Sequence, residues 1–101
     1  MTIGYETQEG SLRVRLTGEL GHHEAISLMS RLSGLVEDHL PVRMELDLSG
    51  LEFMDSSGIA VVVQTARKCR NCGGRLAVVN TPAQAKKVLN CAGIHRLVEI
   101  R

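Results

Sequence analysis

Aromatic side chains are almost absent from this sequence: among 101 residues there is no tryptophan, one tyrosine (Tyr5) and one phenylalanine (Phe53). Proteins that bind single-stranded nucleic acid stack the bases on several aromatic rings, which this chain cannot supply. A strong excess of positive charge is also missing, because 12 Lys and Arg face 11 Asp and Glu. Binding to a phosphate backbone needs a stronger basic field. We therefore expect no nucleic-acid partner.

Long hydrophobic runs are missing as well. The longest, residues 59–63, is far shorter than the ~20 apolar residues of a membrane-spanning helix. The first residues have neither the basic nor the apolar region of a signal peptide. An odd number of cysteines, 3, without an export signal favours reduced thiols inside a cell. We expect a cytoplasmic protein that does not bind a membrane and is a monomer when free.

The hydrophobic pattern predicts one α/β domain over residues 1–101. The composition, 44% hydrophobic and 23% charged, suits a small globular core, and no linker or repeat divides the chain. Alternation and helical spacing of apolar residues predict strands at 2–8, 11–17, 42–48, 76–79 and 97–100, and helices at 24–39, 57–70 and 82–92. This order favours a mixed, mostly parallel sheet of about five strands, opened by an antiparallel hairpin and joined by three main helices.

The third predicted helix has the sequence of a capping box. Thr81 is a good N-cap, Pro82 suits the first helical position, and Gln84 can reach back to the backbone of the cap. Gly93 ends this helix.

The segment that carries most chemistry is residues 46–59. A strand here is followed by a turn that brings Asp55, Ser56 and Ser57 to the start of a helix. Free backbone N–H groups at a helix start, with the helix dipole, form an anion site. A serine hydroxyl at this place can accept a phosphoryl group. The residue types alone favour a simpler role, in which Asp55 caps the helix.

A small apolar surface is predicted beside Ser57. On a helical wheel Ser57 shares the outward face with Ala60, Val61 and Gln64, whereas Ile59, Val62, Val63, Ala66 and Cys69 fall on the inward face. Such a surface could contact a partner protein. The alternative is that Ala60 and Val61 lie against a neighbouring loop, since single apolar residues are common on surfaces.

The same segment resembles the central motif of STAS domains, the fold of bacterial anti-anti-sigma factors. Within that family it is most similar to the anti-sigma F factor antagonists of sporulation. The motif is the stretch Asp-Ser-Ser-Gly at residues 55–58, and residues 16–25, 73–76 and 91–94 are similar to further landmarks of the family. The resemblance covers nearly the whole chain.

The resemblance implies a phosphorylation switch. Its motif places the phosphorylated serine at Ser57, supported by Asp55, Ser56 and Gly58. The kinase would be the partner itself, an ATP-dependent anti-sigma factor, and a serine phosphatase would restore the free serine. The unphosphorylated form would bind the anti-sigma factor and make it release its sigma factor. The chain would then be a regulator without a cofactor, and not an enzyme.

The helical wheel of the second helix and the resemblance of residues 16–25 together indicate where the partner binds. The expected contact residues are Gly21, His22, Ala60, Val61 and Gln64. The sequence departs from the family at two points. Gly21 stands where sporulation relatives usually carry an aspartate, and the sequence stops at Arg101, directly after the last predicted strand, without the C-terminal helix of many relatives.

Two other functions have some support in the sequence. The first is a STAS subunit of another assembly, such as a stress-signalling or lipid-transport complex. The second is a small zinc or redox protein, because Cys69 and Cys72 form a C-x-x-C pair that Cys91 and His95 could complete. Since Cys69 and Cys91 lie on or next to apolar stripes, we expect structural thiols and no bound metal.

Overall fold

The chain forms a five-stranded sheet with three α-helices in a computed structural model that describes residues 1–101. The elements are β1 (Thr2–Gln8), β2 (Ser11–Leu20), α1 (His22–His39), β3 (Arg43–Met54), α2 (Ser57–Asn71), β4 (Arg75–Val79), α3 (Ala83–Cys91) and β5 (Glu99–Ile100), with a short 3-10 helix at Ile94–Arg96. The strands lie in the order β1-β2-β3-β4-β5. The β1–β2 pair is antiparallel and the other pairs are parallel, which confirms the predicted α/β fold.

The core lies between the sheet and the helices, and α3 contributes Ala85 and Leu89 to it beside the buried residues of α1 and α2. Val14, Leu46 and Val78 are register partners on neighbouring strands, and all three are almost fully buried. Helix α1 packs one apolar face inward, and its buried residues are Ala25, Leu28, Leu32 and Val36. No helix is both long and apolar enough to cross a lipid bilayer.

Strand β3 is longer than the alternating pattern predicts. It continues beyond residue 48 to Met54, and its pairing with β2 shifts register between Arg15 and Thr17 and again after Gly18. At each shift β3 contains one residue more than the facing part of β2, and the strand continues through both irregularities. Gly50 allows the close approach, because a Cβ there would lie 2.8 Å from Thr17 Oγ1. The extension carries the end of β3 past the end of β4.

The opposite face of the sheet has a charged network around Asp47. This side chain is only 1% exposed. Its carboxylate accepts hydrogen bonds from the Ser49 N–H (2.9 Å) and from Asn80 Nδ2 (3.2 Å), and Arg15 Nη2 lies 3.4 Å away. Burial by itself would raise the pKa of Asp47. The hydrogen bonds from Ser49 and Asn80 and the charge of Arg15 outweigh this effect and hold the pKa below its ordinary value.

The predicted capping box of α3 is wrong. The helix begins at Ala83 with Pro82 as its N-cap, and the buried Thr81 hydroxyl has no hydrogen-bond partner. The Gln84 side chain does not reach back to the cap but bonds to the backbone of Met54. The Gln84 side chain thus has its hydrogen-bond partners on β3, and not at the helix start as the sequence pattern indicated.

Acid should weaken the fold partly through Asp47. Because its folded-state pKa is depressed, its stabilisation is fully present above about pH 4 and is lost as the pH falls through the folded pKa. Asp47→Asn should cost about 1–3 kcal/mol of unfolding free energy at neutral pH and flatten the loss of stability in acid. Denaturant titrations over a pH series measure both effects, with exposed Glu99→Gln as the control. An Asp47→Asn curve parallel to that of the wild type would contradict this assignment.

Candidate functional site

The site is formed where the β2–α1 and β3–α2 junctions lie side by side. The Asp55 N–H donates a hydrogen bond to the Leu20 carbonyl oxygen at 3.1 Å. A Cβ on Gly21 would lie 3.4 Å from Asp55 Oδ2. Two residues far apart in the sequence, Gly21 and Asp55, are therefore neighbours. The structure also shows that an aspartate at position 21 would bring a second carboxylate close to Asp55.

The Asp55 carboxylate fixes the start of α2. Its Oδ1 atom accepts the Ser57 N–H at 2.7 Å, so the side chain closes a turn across two residues. Ser56 occupies the N-cap position but forms no capping bond with its own side chain. The prediction that Asp55 satisfies a donor at the helix start is thus correct, although Asp55 stands one residue before the cap. Ser57 is the first helical residue and is half-buried, whereas Ser56 is exposed.

The predicted set of free N–H groups is not present at this helix start. Besides the Ser57 N–H, the Gly58 N–H donates to the Asp55 carbonyl (3.0 Å) and the Ile59 N–H to the Ser56 carbonyl (3.1 Å). These short-range bonds tighten the first turn and occupy donors that an anion would otherwise use. The helix dipole is then the main remaining feature that favours a negative charge here.

Gly58 allows α2 to begin directly against the end of β3. A Cβ at this position would lie 2.6 Å from Met54 Sδ, closer than real carbon and sulfur atoms approach. Met54 is fully buried and Gly58 is buried as well, so neither group has space to move aside. The glycine therefore supports the site through its small size.

The predicted contact surface on α2 needs one correction. Ala60 and Gln64 are exposed, and His22 is exposed at the start of α1. Val61, however, is fully buried, so it cannot contact a partner. The reason is that α2 packs against α1 as well as the sheet, and its buried face widens to include Val61 and Thr65.

The buried face of α2 therefore differs from the inward face that the helical wheel predicted. Ile59, Val63 and Ala66, which the wheel placed inside, are only partly buried. The Thr65 hydroxyl on the buried side donates to the Val61 carbonyl oxygen at 2.7 Å. This bond satisfies a polar group that would otherwise be costly to bury.

The cysteines do not form a site. Cys69 is buried against Met44, with 3.3 Å between the two sulfur atoms, and burial raises its pKa to about 11. Cys72 is half-buried and Cys91 is exposed on α3. No three His, Cys, Asp or Glu side chains, His95 included, are grouped closely enough to hold a metal ion. The arrangement gives the zinc and redox alternatives no support.

One contact of the site is not predictable from the sequence. Gln84 on α3 bonds through its side-chain amide to the backbone N–H and carbonyl of Met54, directly before Asp55. The two residues are 30 positions apart, and the local pattern pointed to a helix cap.

Comparison with known proteins agrees with this fold and motif. Residues 2–101 match the model of the STAS domain family. The anti-sigma F factor antagonist of Paenibacillus polymyxa is 29% identical over 100 residues, which cover 99% of this chain and 86% of that protein.

Solved structures show the same architecture. The anti-sigma factor antagonist SpoIIAA in its unphosphorylated form is similar with a TM-score of 0.83 and 24% identity, over 99% of this chain and 88% of that one. Bacillus SpoIIAA in its phosphorylated form is similar with a TM-score of 0.74 and 24% identity, over 99% and 91% of the two chains. The family match extends over almost the entire sequence and includes the two junctions that meet at Asp55. This protein belongs to the STAS domain family.

Proposed function

We propose that this protein is an anti-sigma factor antagonist controlled by phosphorylation of Ser57. Its unphosphorylated form binds a kinase-type anti-sigma factor, which then releases its sigma factor. The anti-sigma factor uses ATP to phosphorylate Ser57, and a serine phosphatase reverses the modification. The observation that carries the proposal is the fixed placement of Ser57 at the accessible start of α2, held by Asp55, in a chain whose relatives include an anti-sigma F factor antagonist.

Ser57 is a better phosphoacceptor than Ser56. Its backbone is held by the 2.7 Å bond to the Asp55 carboxylate, so its side chain leaves the helix in a defined direction. Ser56 is exposed and its side chain has no capping bond that would orient it. Because a phosphoryl transfer depends on positioning, the fixed serine is favoured.

The docking surface consists of Gly21, His22, Ala60 and Gln64, around Ser57. All four are at least partly exposed, and they lie on the two helix starts that Asp55 brings together and on the outer side of α2. Gly21 places no side chain against Asp55 Oδ2, and the neighbouring Glu24 carboxylate is bound to the Gly21 N–H at 3.0 Å. A partner can therefore approach Asp55 and Ser57 from the β2–α1 junction.

Phosphorylation should block this surface without changing the fold. A phosphoserine adds about −1.5 to −2 charges at neutral pH. The dipole of α2 favours that charge, but the nearby Asp55 carboxylate opposes it when water is excluded. A partner that covers Ser57 would bury an uncompensated charge, which costs several kcal/mol. The complex with the anti-sigma factor should therefore dissociate because of the free-energy cost of burying this charge.

The first test is the site of modification. Incubation with the cognate kinase-type anti-sigma factor and ATP, followed by mass spectrometry, should place one phosphate on Ser57. Ser57→Ala should abolish labelling, whereas Ser56→Ala should be labelled, since the Asp55 bond to the Ser57 backbone remains. Phosphate on Ser56, or full labelling of Ser57→Ala, would refute the assignment.

The second test is a mimic of the modified state. Ser57→Asp should bind the anti-sigma factor at least about tenfold more weakly than wild type, equivalent to ~1.4 kcal/mol. Its circular dichroism and unfolding midpoint should stay close to those of the wild type. Titration calorimetry measures the affinity, and wild-type affinity for Ser57→Asp would contradict the local block.

The third test separates the exposed and buried residues of α2. Ala60→Arg places a bulky charge on the proposed surface and should weaken partner binding about tenfold, with little effect on stability. Asn90→Arg makes the same addition on the exposed part of α3 and should bind normally. Val61→Ala should behave in the opposite way, lowering the unfolding free energy by about 1–3 kcal/mol without loss of affinity. Equal binding by Ala60→Arg and Asn90→Arg would remove α2 from the interface.

A further inference from the structure

Gln84 makes a two-point contact with the last residue of β3. Its Nε2 atom donates to the Met54 carbonyl oxygen at 2.7 Å, and its Oε1 atom accepts the Met54 N–H at 2.9 Å. Met54 immediately precedes Asp55, whose carboxylate orients Ser57. A side chain of α3 is thereby joined to the segment that presents the proposed phosphoacceptor.

The contact replaces a missing strand. Strand β4 pairs with β3 only as far as the partners Asp47 and Val79, while β3 continues to Met54. The N–H and C=O of one strand residue point to the same side, so on the β4 side Met54 would have no strand partner. The Gln84 amide supplies one donor and one acceptor in the required arrangement. Without this contact the N–H and C=O of the buried Met54 would be unpaired on this side, which would lower the stability of the fold.

The β3–α2 junction is consequently held by hydrogen bonds on both sides. On the β2 side the Asp55 N–H bonds to the Leu20 carbonyl, and on the α3 side Gln84 holds Met54. Met54 also packs against Gly58 in the first turn of α2. A shift of the Met54 backbone would therefore be transmitted to Asp55, Gly58 and Ser57.

We propose that Gln84 is a positioning residue for phosphorylation of Ser57. It does not touch the reacting atoms. It acts through the Met54 backbone, which sets the direction of Asp55 and hence of the Ser57 side chain. This inference rests on the proposed function. It predicts that loss of the Gln84 amide slows the phosphoryl transfer itself more than it weakens docking, because Ala60 and Gln64 lie on another helix.

Gln84→Glu is the sharpest variant. The carboxylate has nearly the same size and can accept from the Met54 N–H, but it cannot donate to the Met54 carbonyl and faces that oxygen with a negative charge. A glutamate in the first turn of α3 is favourable for the helix dipole, so α3 itself should not be weakened. Ala83→Glu is the matched control, since it adds the same charge at the adjacent, exposed position and leaves both Gln84 bonds to Met54 in place.

The experiment measures steady-state phosphorylation by the cognate kinase-type anti-sigma factor with ATP. For Gln84→Glu we expect kcat to fall by about tenfold or more, with KM within about threefold of wild type. Ala83→Glu should match wild type in both constants. Gln84→Ala, which removes both hydrogen bonds without adding charge, should also lower kcat, and it serves as the second variant if Gln84→Glu folds poorly.

Amide hydrogen exchange gives a readout that does not depend on the kinase. The Met54 N–H should exchange faster in Gln84→Glu and Gln84→Ala, and the Asp55 and Ser57 amide NMR signals should shift, while signals of β1 stay in place. Wild-type kcat in both variants, an equal loss in Ala83→Glu, or unchanged Met54 exchange would overturn the role of Gln84. Failure of wild-type protein to be phosphorylated would instead refute the proposed function, and the exchange data would still decide the Met54 contact.

Discussion

The Asp55 side chain and backbone make the contacts on which the site depends. The backbone N–H bonds to Leu20 at the end of β2, Oδ1 accepts the Ser57 N–H, and Oδ2 lies beside Gly21. One residue therefore joins two junctions and orients the first turn of α2. This arrangement requires that β3 extend to Met54, because only then do the ends of β2 and β3 lie at the same level. The register shifts in the β2–β3 pairing lie within this extension, and the contact from Gln84 holds its end.

The position of Asp55 also explains how a single phosphate can act as a switch. The carboxylate lies next to the residue that gains the phosphate, and the first-turn N–H groups are already bonded within the chain. In the free protein, water can solvate both charges. In a complex that covers Ser57, water is excluded, and the partner would have to supply groups that stabilise the phosphate and the Asp55 carboxylate. The fold need not move for affinity to fall, and the glycine at position 21 adds no carboxylate of its own beside Asp55.

The parts of the structure that depend on local periodicity were predictable from the sequence. These include the element order, the hairpin and the range of α1, which begins two residues earlier than predicted. Interactions between distant segments were not. A wheel of α2 could not reveal that a second helix covers Val61. The alternating pattern ended at residue 48, whereas β3 continues to Met54 through two register shifts in its pairing with β2. Gln84 fitted a local cap, yet its amide found partners 30 residues away. In each case the local sequence was compatible with more than one structure, and a contact with a distant segment decided which one forms.

Phosphate on Ser57 should act locally, at the junctions joined by Asp55. The most direct measurement compares backbone amide NMR spectra of the unphosphorylated and fully phosphorylated protein. Changes should be confined to the first turn of α2, to Asp55 and to the neighbouring residues Leu20, Gly21 and His22, with the signals of β1, β4 and β5 unmoved. Shifts spread across the whole sheet would contradict a local block and would indicate that the modification works by rearranging the fold.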